Sequence, residues 1–345
     1  GLIPAALRSA SGFLLPFDKI ATGWFARQAR RKVLESGLQN IIGITGSFGK
    51  TTTKESVSRL LSQKFRVRKT PENVNTLLGI ARWITKTPLE KGDTLVVEMG
   101  AYRIGDITAI AKMIRPTIGV LTGINEAHLE RFGSTENTQA AKCELFDALP
   151  NGGRGFWNQD SQLCRQAVEA RTQEWSRRGL RIVPYNATGT SAVQMNSGAT
   201  GETFFSLQLT RTVAPRWAIE AKIKLFGKHH LPSLAAAVAL GDELGLSPEE
   251  IRRGLQGLQP LPRRLAPSYG PNETLLIDDS YNITLDGVKA ALEALKPIQR
   301  RKIAVFAGIP EAGESSAALN QTLGRLIAPV FDVLILRQTP VEKAV

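Results

Sequence analysis

From residue 40 onward the chain alternates short apolar runs with helical patterns. That alternation is the signature of an α/β fold built around a mostly parallel sheet. "NIIGITG" reads as a buried strand that feeds the helix "KTTTKESVSRLLSQKF"; "DTLVVEMGA", "TIGVLTGI" and "GRGFWN" repeat the strand signal, with helices such as "STENTQAAKCELFDAL" between them. Between about residues 180 and 226 the pattern changes to alternating segments, "RIVPYN", "TFFSLQLTRT" and "WAIEAKIKLFG", separated by turn-rich stretches, which predicts a small antiparallel patch. "LPSLAAAVALGDELG" returns to helix, and "SPEEIRRGLQGL" starts another with Ser247 as N-cap and acids in its first turn. After "LQPLPRRL" a second α/β unit follows: strand "ETLLIDDSY", helix "LDGVKAALEALK", strand "RKIAVFAG", helix "SSAALNQTLGRLIA" and strand "FDVLILR". A doubly wound sheet that begins this way ordinarily carries more strands, so the last domain is expected to be incomplete. The expected division is 1–38, 39–260 and 261–345.

At 345 residues the chain suits more than one core, and 42% hydrophobic with 22% charged residues is ordinary globular composition. Lys and Arg outnumber Asp and Glu by 44 to 31, a net charge of +13, which fits nucleic acid, an anionic membrane surface or a polyanionic small substrate. No aromatic cluster of the RNA-binding kind and no zinc spacing accompanies that charge, so a nucleic-acid partner is not expected. Two cysteines, Cys143 and Cys164, and three histidines argue against a disulfide scaffold or a Cys/His zinc site, and favour a reducing, cytoplasmic compartment. No apolar run reaches the roughly 18 residues that a membrane-spanning helix needs.

The first 36 residues are apolar to Phe17 and then basic through Arg27, Arg30, Arg31 and Lys32. That order fits an amphipathic or juxtamembrane segment on anionic lipid at the inner face of the membrane. It fits equally a helix packed on the domain with a solvated basic face. The leading Gly1 in place of Met suits a chain trimmed from a longer one.

The chemistry begins at "GITGSFGKTTTKE", residues 43–55. A strand, a Gly-rich turn and a helix starting at Lys50 make the setting of a phosphate-binding loop. Backbone N–H groups from Gly46, Ser47 and Gly49 into the helix N-terminus at Thr51 and Thr52 would hold phosphates, Lys50 would add a point charge, and Thr51 would ligate Mg²⁺. The spacing departs from Walker A, which would need glycine where Ile44 stands.

The form "TGSFGKTT" resembles the loop of the Mur ligase family, the ATP-dependent amide-forming enzymes of bacterial peptidoglycan synthesis, and further blocks follow in that family's order. "NVNTLLG" is similar to the Asn-rich turn on the substrate side, which implies substrate roles for Asn73, Asn75 and Thr76. "VVEMGA" places Glu98 where the family has a Mg²⁺-binding glutamate. "GINEAHLERFGS" resembles its Asn-x-x-His-Leu segment, with Asn125 near the phosphates and His128 on a second metal. "QAAKCELF" puts Lys142 where many members carry a carbamylated lysine bridging two Mg²⁺ ions. "FGKHHLPSLAAAVAL" resembles the adenine-pocket segment but has His230 and Ser233 where the family has asparagines. "PLPRRL" resembles the hinge from which an arginine, here Arg264, reaches the phosphates. "LIDDSYNITLDGVKAAL" is similar to the block of the MurF type, the members adding D-Ala-D-Ala to UDP-MurNAc-tripeptide, and implies that Asp279, Tyr281 and Asn282 approach the nucleotide.

The resemblance implies a central ATP-binding domain of P-loop type followed by a Rossmann-like ligase domain, without the family's N-terminal uridine-binding domain. It also implies a reaction in which ATP converts a substrate carboxylate to an acyl phosphate that an amine, here a dipeptide, then displaces. Such chemistry needs alignment and charge neutralisation rather than a protein nucleophile. A nucleotide-linked acidic substrate gives the positive charge a use, and a monomer is expected. Two alternatives stay open: a membrane-associated, catalytically silent ATP-binding interaction protein, and a related ligase acting on another acid such as folate.

Overall fold

The computed structural model describes residues 20–125, 132–186, 193–197, 203–211, 217–281, 283–296, 298–308 and 316–336. The chain forms two compact units, one comprising residues 1–190 and 232–255, the other residues 191–231 and 256–345.

The first unit is a six-stranded, all-parallel sheet ordered β2-β3-β1-β4-β5-β6. Its strands are β1 (Asn40–Thr45), β2 (Val67–Lys69), β3 (Thr94–Glu98), β4 (Ile118–Leu121), β5 (Arg154–Asn158) and β6 (Arg181–Tyr185). Helices cover both faces, so the central strands β3 and β4 are buried at every position and read in sequence as unbroken apolar runs rather than as alternation. The order turns at β1: the chain steps from β1 over to β2 and β3 on one side, then crosses back to β4, β5 and β6 on the other. In parallel sheets that switch opens a crevice beyond the carboxyl ends of the strands, where ligands bind.

One expectation is corrected here. Residues 181–185 were expected in the antiparallel patch, yet they form β6, paired in parallel with β5. Pro184 has no N–H to give a second neighbour, which suits the edge position that β6 occupies and accounts for the broken apolar run.

The helices of this unit are α1 (residues 20–35), α2 (Lys50–Leu61), α3 (Leu77–Lys86), α4 (Asp106–Ile114), α5 (Thr135–Asp147), α6 (Gln162–Glu169), α7 (Thr172–Arg177), α8 (Leu231–Glu243) and α9 (Pro248–Gln256). In α1, Ala29 and Val33 are buried in the same core as Leu95 and Ile110, while Arg27, Arg30 and Arg31 are exposed. Residues 20–35 thus follow the packed-helix reading; residues 1–19 lie outside the described residues. Among the described residues no helix is long and apolar enough to cross a membrane. Glu243, at the end of α8, accepts from Arg154 (3.4 Å) and Arg181 (2.8 Å) and ties that helix to the sheet edge. Gly254 lets α9 lie directly on α2, since a Cβ there would stand 2.9 Å from the Leu60 Cα.

Among the described residues the second unit holds three small sheets: antiparallel β7-β8-β9 (Val193–Ser197, Thr203–Arg211, Trp217–Ile223), antiparallel β10-β11 (Ala266–Tyr269, Leu275–Asp278) and parallel β12-β13 (Ile303–Phe306, Val333–Leu336). Its helices are α10 (Leu285–Leu295) and α11 (Ser316–Ile327), packed through Val288, Leu292, Leu323 and Ile327. The strand "APSY" of β10 escaped the sequence reading because its proline and polar residues carry no strand pattern.

Candidate functional site

The loop after β1 is closed against the end of β4. Ser47 N donates to the Gly123 carbonyl at 2.7 Å, and the Thr122 hydroxyl donates to the carbonyls of Thr45 and Phe48. Gly46 has φ 154° and stands so close to β4 that a Cβ would lie 2.2 Å from Thr122 Oγ1, so only glycine closes this turn. Gly49 caps α2 with φ 75°, again the left-handed region. The first turn of α2 holds no acidic residue, leaving its positive dipole end uncompensated. Lys50 folds its ammonium back onto the carbonyls of Gly46 (2.8 Å) and Ser47 (3.2 Å), which places a cation inside the loop. Thr51 is buried at the same helix start and Thr52 half-buried beside it.

Glu98 ends β3, the strand next to β1, and is 3% exposed. Its Oε1 accepts from Asn75 Nδ2 at 3.2 Å, while Oε2 is buried without a hydrogen-bond partner. The Lys54 ammonium stands 3.5 Å from this oxygen without a directed hydrogen bond to it, so the oxygen keeps lone pairs that suit a hard divalent ion. Asn75 also accepts from Gly100 N through its own carbonyl, so the turn holding it is fixed to the end of β3. Its neighbours serve that turn: Asn73 is exposed with φ 63°, and Thr76 caps α3 by accepting from Gly79 N.

Lys142 lies on α5, 4% exposed, with its ammonium 5.4 Å from the Phe132 ring centre. Burial, reinforced by the nearby charge of Lys50, pulls its pKa down to about 7, against the opposing pull of Asp106 and Glu144. Glu144 is itself engaged, accepting from Gly105 N and from the backbone and hydroxyl of Thr108 at the start of α4. A lysine in this state is a good nucleophile toward CO₂. Asn125 sits half-buried four residues past the end of β4, and His128 lies outside the described residues. No cluster of three or more His, Cys, Asp or Glu exists among the described residues, so a metal here would draw on Thr51, Glu98 and a modified Lys142 rather than on a classical cage.

Ser233, on α8, accepts from the Thr53 hydroxyl at 3.0 Å, and its Oγ lies 3.8 Å from where a Cβ of Gly49 would stand. The serine at this position therefore braces the phosphate loop's helix.

The chain belongs to the Mur ligase family. The sequence profile described as the Mur ligase middle domain matches residues 44–241, more than half of the chain. The UDP-N-acetylmuramoyl-tripeptide–D-alanyl-D-alanine ligase of Escherichia coli K12 is 30% identical over 309 residues, covering 89% of this chain and 65% of that protein. MurF from Acinetobacter baumannii superposes with a TM-score of 0.79 at 25% identity, over 93% of this chain and 68% of its own. MurF of Thermotoga maritima, solved in complex with ADP, gives 0.78 at 26% identity over 94% and 72%. The chain spans less than two thirds of the length of the curated relatives it matches.

The other residues singled out in the sequence of this Mur ligase chain lie in the second unit. His230 is buried at the end of a 3₁₀ turn (Lys228–His230), its Nδ1 has no hydrogen-bond partner, and burial followed by its neighbour His229 holds it well below the usual imidazole range, hence neutral. Arg264 stacks its guanidinium 3.9 Å from the Tyr281 ring centre, and Tyr281 N donates to the Arg263 carbonyl. Asp279 accepts from Leu265 N at 3.0 Å; burial pushes its pKa up to about 6 against that bond and the nearby Arg264. Asn282 lies outside the described residues. Sequence reasoning missed Lys54, Thr122 and Thr53. Lys54 and Thr53 show only as an unusually polar helix face in "KTTTKES", which turns inward rather than toward solvent, and Thr122, just past β4, carries no local signal.

Proposed function

We propose that this chain carries the ATP-dependent ligase chemistry of the MurF type, forming an amide between the carboxylate of a UDP-MurNAc-tripeptide and the amine of D-Ala-D-Ala. One observation supports it above all: a glycine loop with an inward cation follows β1, a buried carboxylate oxygen without a hydrogen bond ends the neighbouring β3, and a buried lysine shifted toward its neutral form lies within electrostatic reach of Lys50. The choice of substrates follows the relatives named for that reaction.

When bound, ATP and Mg²⁺ supply the phosphoryl group that activates the carboxylate and the positive charge that screens it. The chain's own groups position and neutralise. Backbone N–H groups from Ser47 to Thr52 would receive phosphate oxygens at the start of α2, and Lys50 would exchange its two carbonyl partners for them. The Thr51 hydroxyl and Glu98 Oε2 would hold the metal, with Asn75 fixing the carboxylate's orientation. Lys142 would add CO₂ at its unprotonated amine, which turns a repelling cation into an anionic oxygen ligand. Asn125 and Arg264 would complete the charged surroundings, His128 would hold a second metal, His230, Asp279, Tyr281 and Asn282 would make the nucleotide contacts, and Asn73, Asn75 and Thr76 would line the substrate side. The reaction belongs in the cytoplasm, where ATP and nucleotide-linked precursors are.

The test is Mg²⁺-dependent phosphate release from ATP, with UDP-MurNAc-tripeptide and D-Ala-D-Ala supplied together and singly, beside Lys50→Ala. Release that needs both substrates and is lost in the variant supports the reading. ATP binding that no substrate pair stimulates overturns it.

A further inference from the structure

Lys54 is the least explained side chain near the crevice. It lies one turn beyond Lys50 on α2 and is 0% exposed. A buried ammonium needs compensation. Its Nζ lies 3.5 Å from Glu98 Oε2, 3.5 Å from Glu55 Oε1 and 3.4 Å from the Pro71 carbonyl. Glu55 is already engaged by Lys69. Among the described residues, the charge closest to Lys54 that no other cation meets is therefore the carboxylate of Glu98.

The contact is electrostatic and not orienting. Glu98 Oε2 has no hydrogen-bond partner, so Lys54 acts on it across a gap rather than through a directed bond. Orientation comes from the other side, where Asn75 donates to Oε1, and from Thr70, whose hydroxyl accepts from Glu98 N at 3.0 Å. We infer that Lys54 is a resident counter-cation: it compensates the buried charge of Glu98 while the site holds no metal, and it sets how tightly Glu98 takes a divalent ion. The inference rests on the metal-holding role proposed above for Glu98.

Two consequences separate this from plain packing. Removing the ammonium leaves a buried carboxylate uncompensated, so the metal-free protein loses stability. The same removal relieves repulsion of an incoming cation, so divalent affinity rises. A packing role predicts the first without the second, and an orienting role predicts weaker metal binding instead.

Wild type, Lys54→Met, Lys54→Arg and Glu98→Gln would be titrated with Mn²⁺ alone, free Mn²⁺ being read by electron paramagnetic resonance, and melted in EDTA and in excess Mn²⁺. The expected result is binding on the order of tenfold tighter in Lys54→Met, wild-type affinity in Lys54→Arg, and loss of this site in Glu98→Gln. Lys54→Met should melt below wild type in EDTA, and Mn²⁺ should narrow that gap because a ligand stabilises the state it binds. Unchanged or weaker binding in Lys54→Met overturns the inference while leaving Glu98 as a ligand. Wild type binding no better than Glu98→Gln removes the metal role of Glu98 and the inference with it. If Lys54→Met does not fold, the double variant Lys54→Met/Glu98→Gln decides: with both charges gone it should be recovered folded, and its failure to fold overturns the pairing.

Discussion

Lys142 and Asp279 show how burial, more than any neighbouring charge, sets the chemistry of single residues here. With its pKa near 7, the Lys142 amine is about half unprotonated at neutral pH, whereas a solvated lysine is almost wholly charged. Incubation with ¹³C-bicarbonate should give a carbamate signal by NMR that is absent in Lys142→Gln and stronger at pH 8 than at pH 6; equal signals in both proteins would remove Lys142 as the site. Asp279 moves the other way, from its ordinary 3.8 to about 6. Between those values the folded state keeps a proton that the unfolded state has released. The contribution is therefore full below 3.8 and lost as pH rises through about 6. Melting temperature followed from pH 4 to pH 7 should fall less in Asp279→Asn than in wild type, and parallel curves would show that the group titrates normally.

At the scale of elements, α2 is the piece on which the site depends. Its start binds the loop, its inner face carries Thr53 and Lys54, and its far end is covered by α9. The atom that a Cβ at Gly254 would meet first is the backbone Cα of Leu60, which cannot rotate aside as the Leu60 side chain next to it can. Gly254→Ala should cost about 1–3 kcal/mol by urea unfolding and loosen α2; a change under about 0.5 kcal/mol would mean that α9 shifts freely. Sequence read α2 as running to Phe65, but it ends at Leu61 and the chain turns there toward β2. The next residues are held by tertiary contacts, Lys64 donating to the Gly245 carbonyl, which no local pattern announces.

For the whole molecule, the net charge of +13 is the property that reaches farthest, and it favours polyanionic ligands over neutral ones. Binding of the ADP trianion should weaken several-fold as ionic strength rises from about 0.05 M to about 0.3 M, with Lys50→Ala showing a shallower slope; salt-independent binding would assign the affinity to shape alone. Much of this protein is written locally. The parallel sheet follows from its apolar runs, because strands buried on both faces leave no polar alternation, and the phosphate loop follows from Gly46 and Gly49, whose backbone angles few other residues tolerate. Tertiary structure alone decided that "RIVPYN" pairs as an edge strand of the main sheet, because a five-residue run fits either pairing and only the free edge of β5 selects one. It alone enclosed Lys54 beside Glu98, residues 44 positions apart, since long-range packing and not sequence spacing determines which buried charges meet.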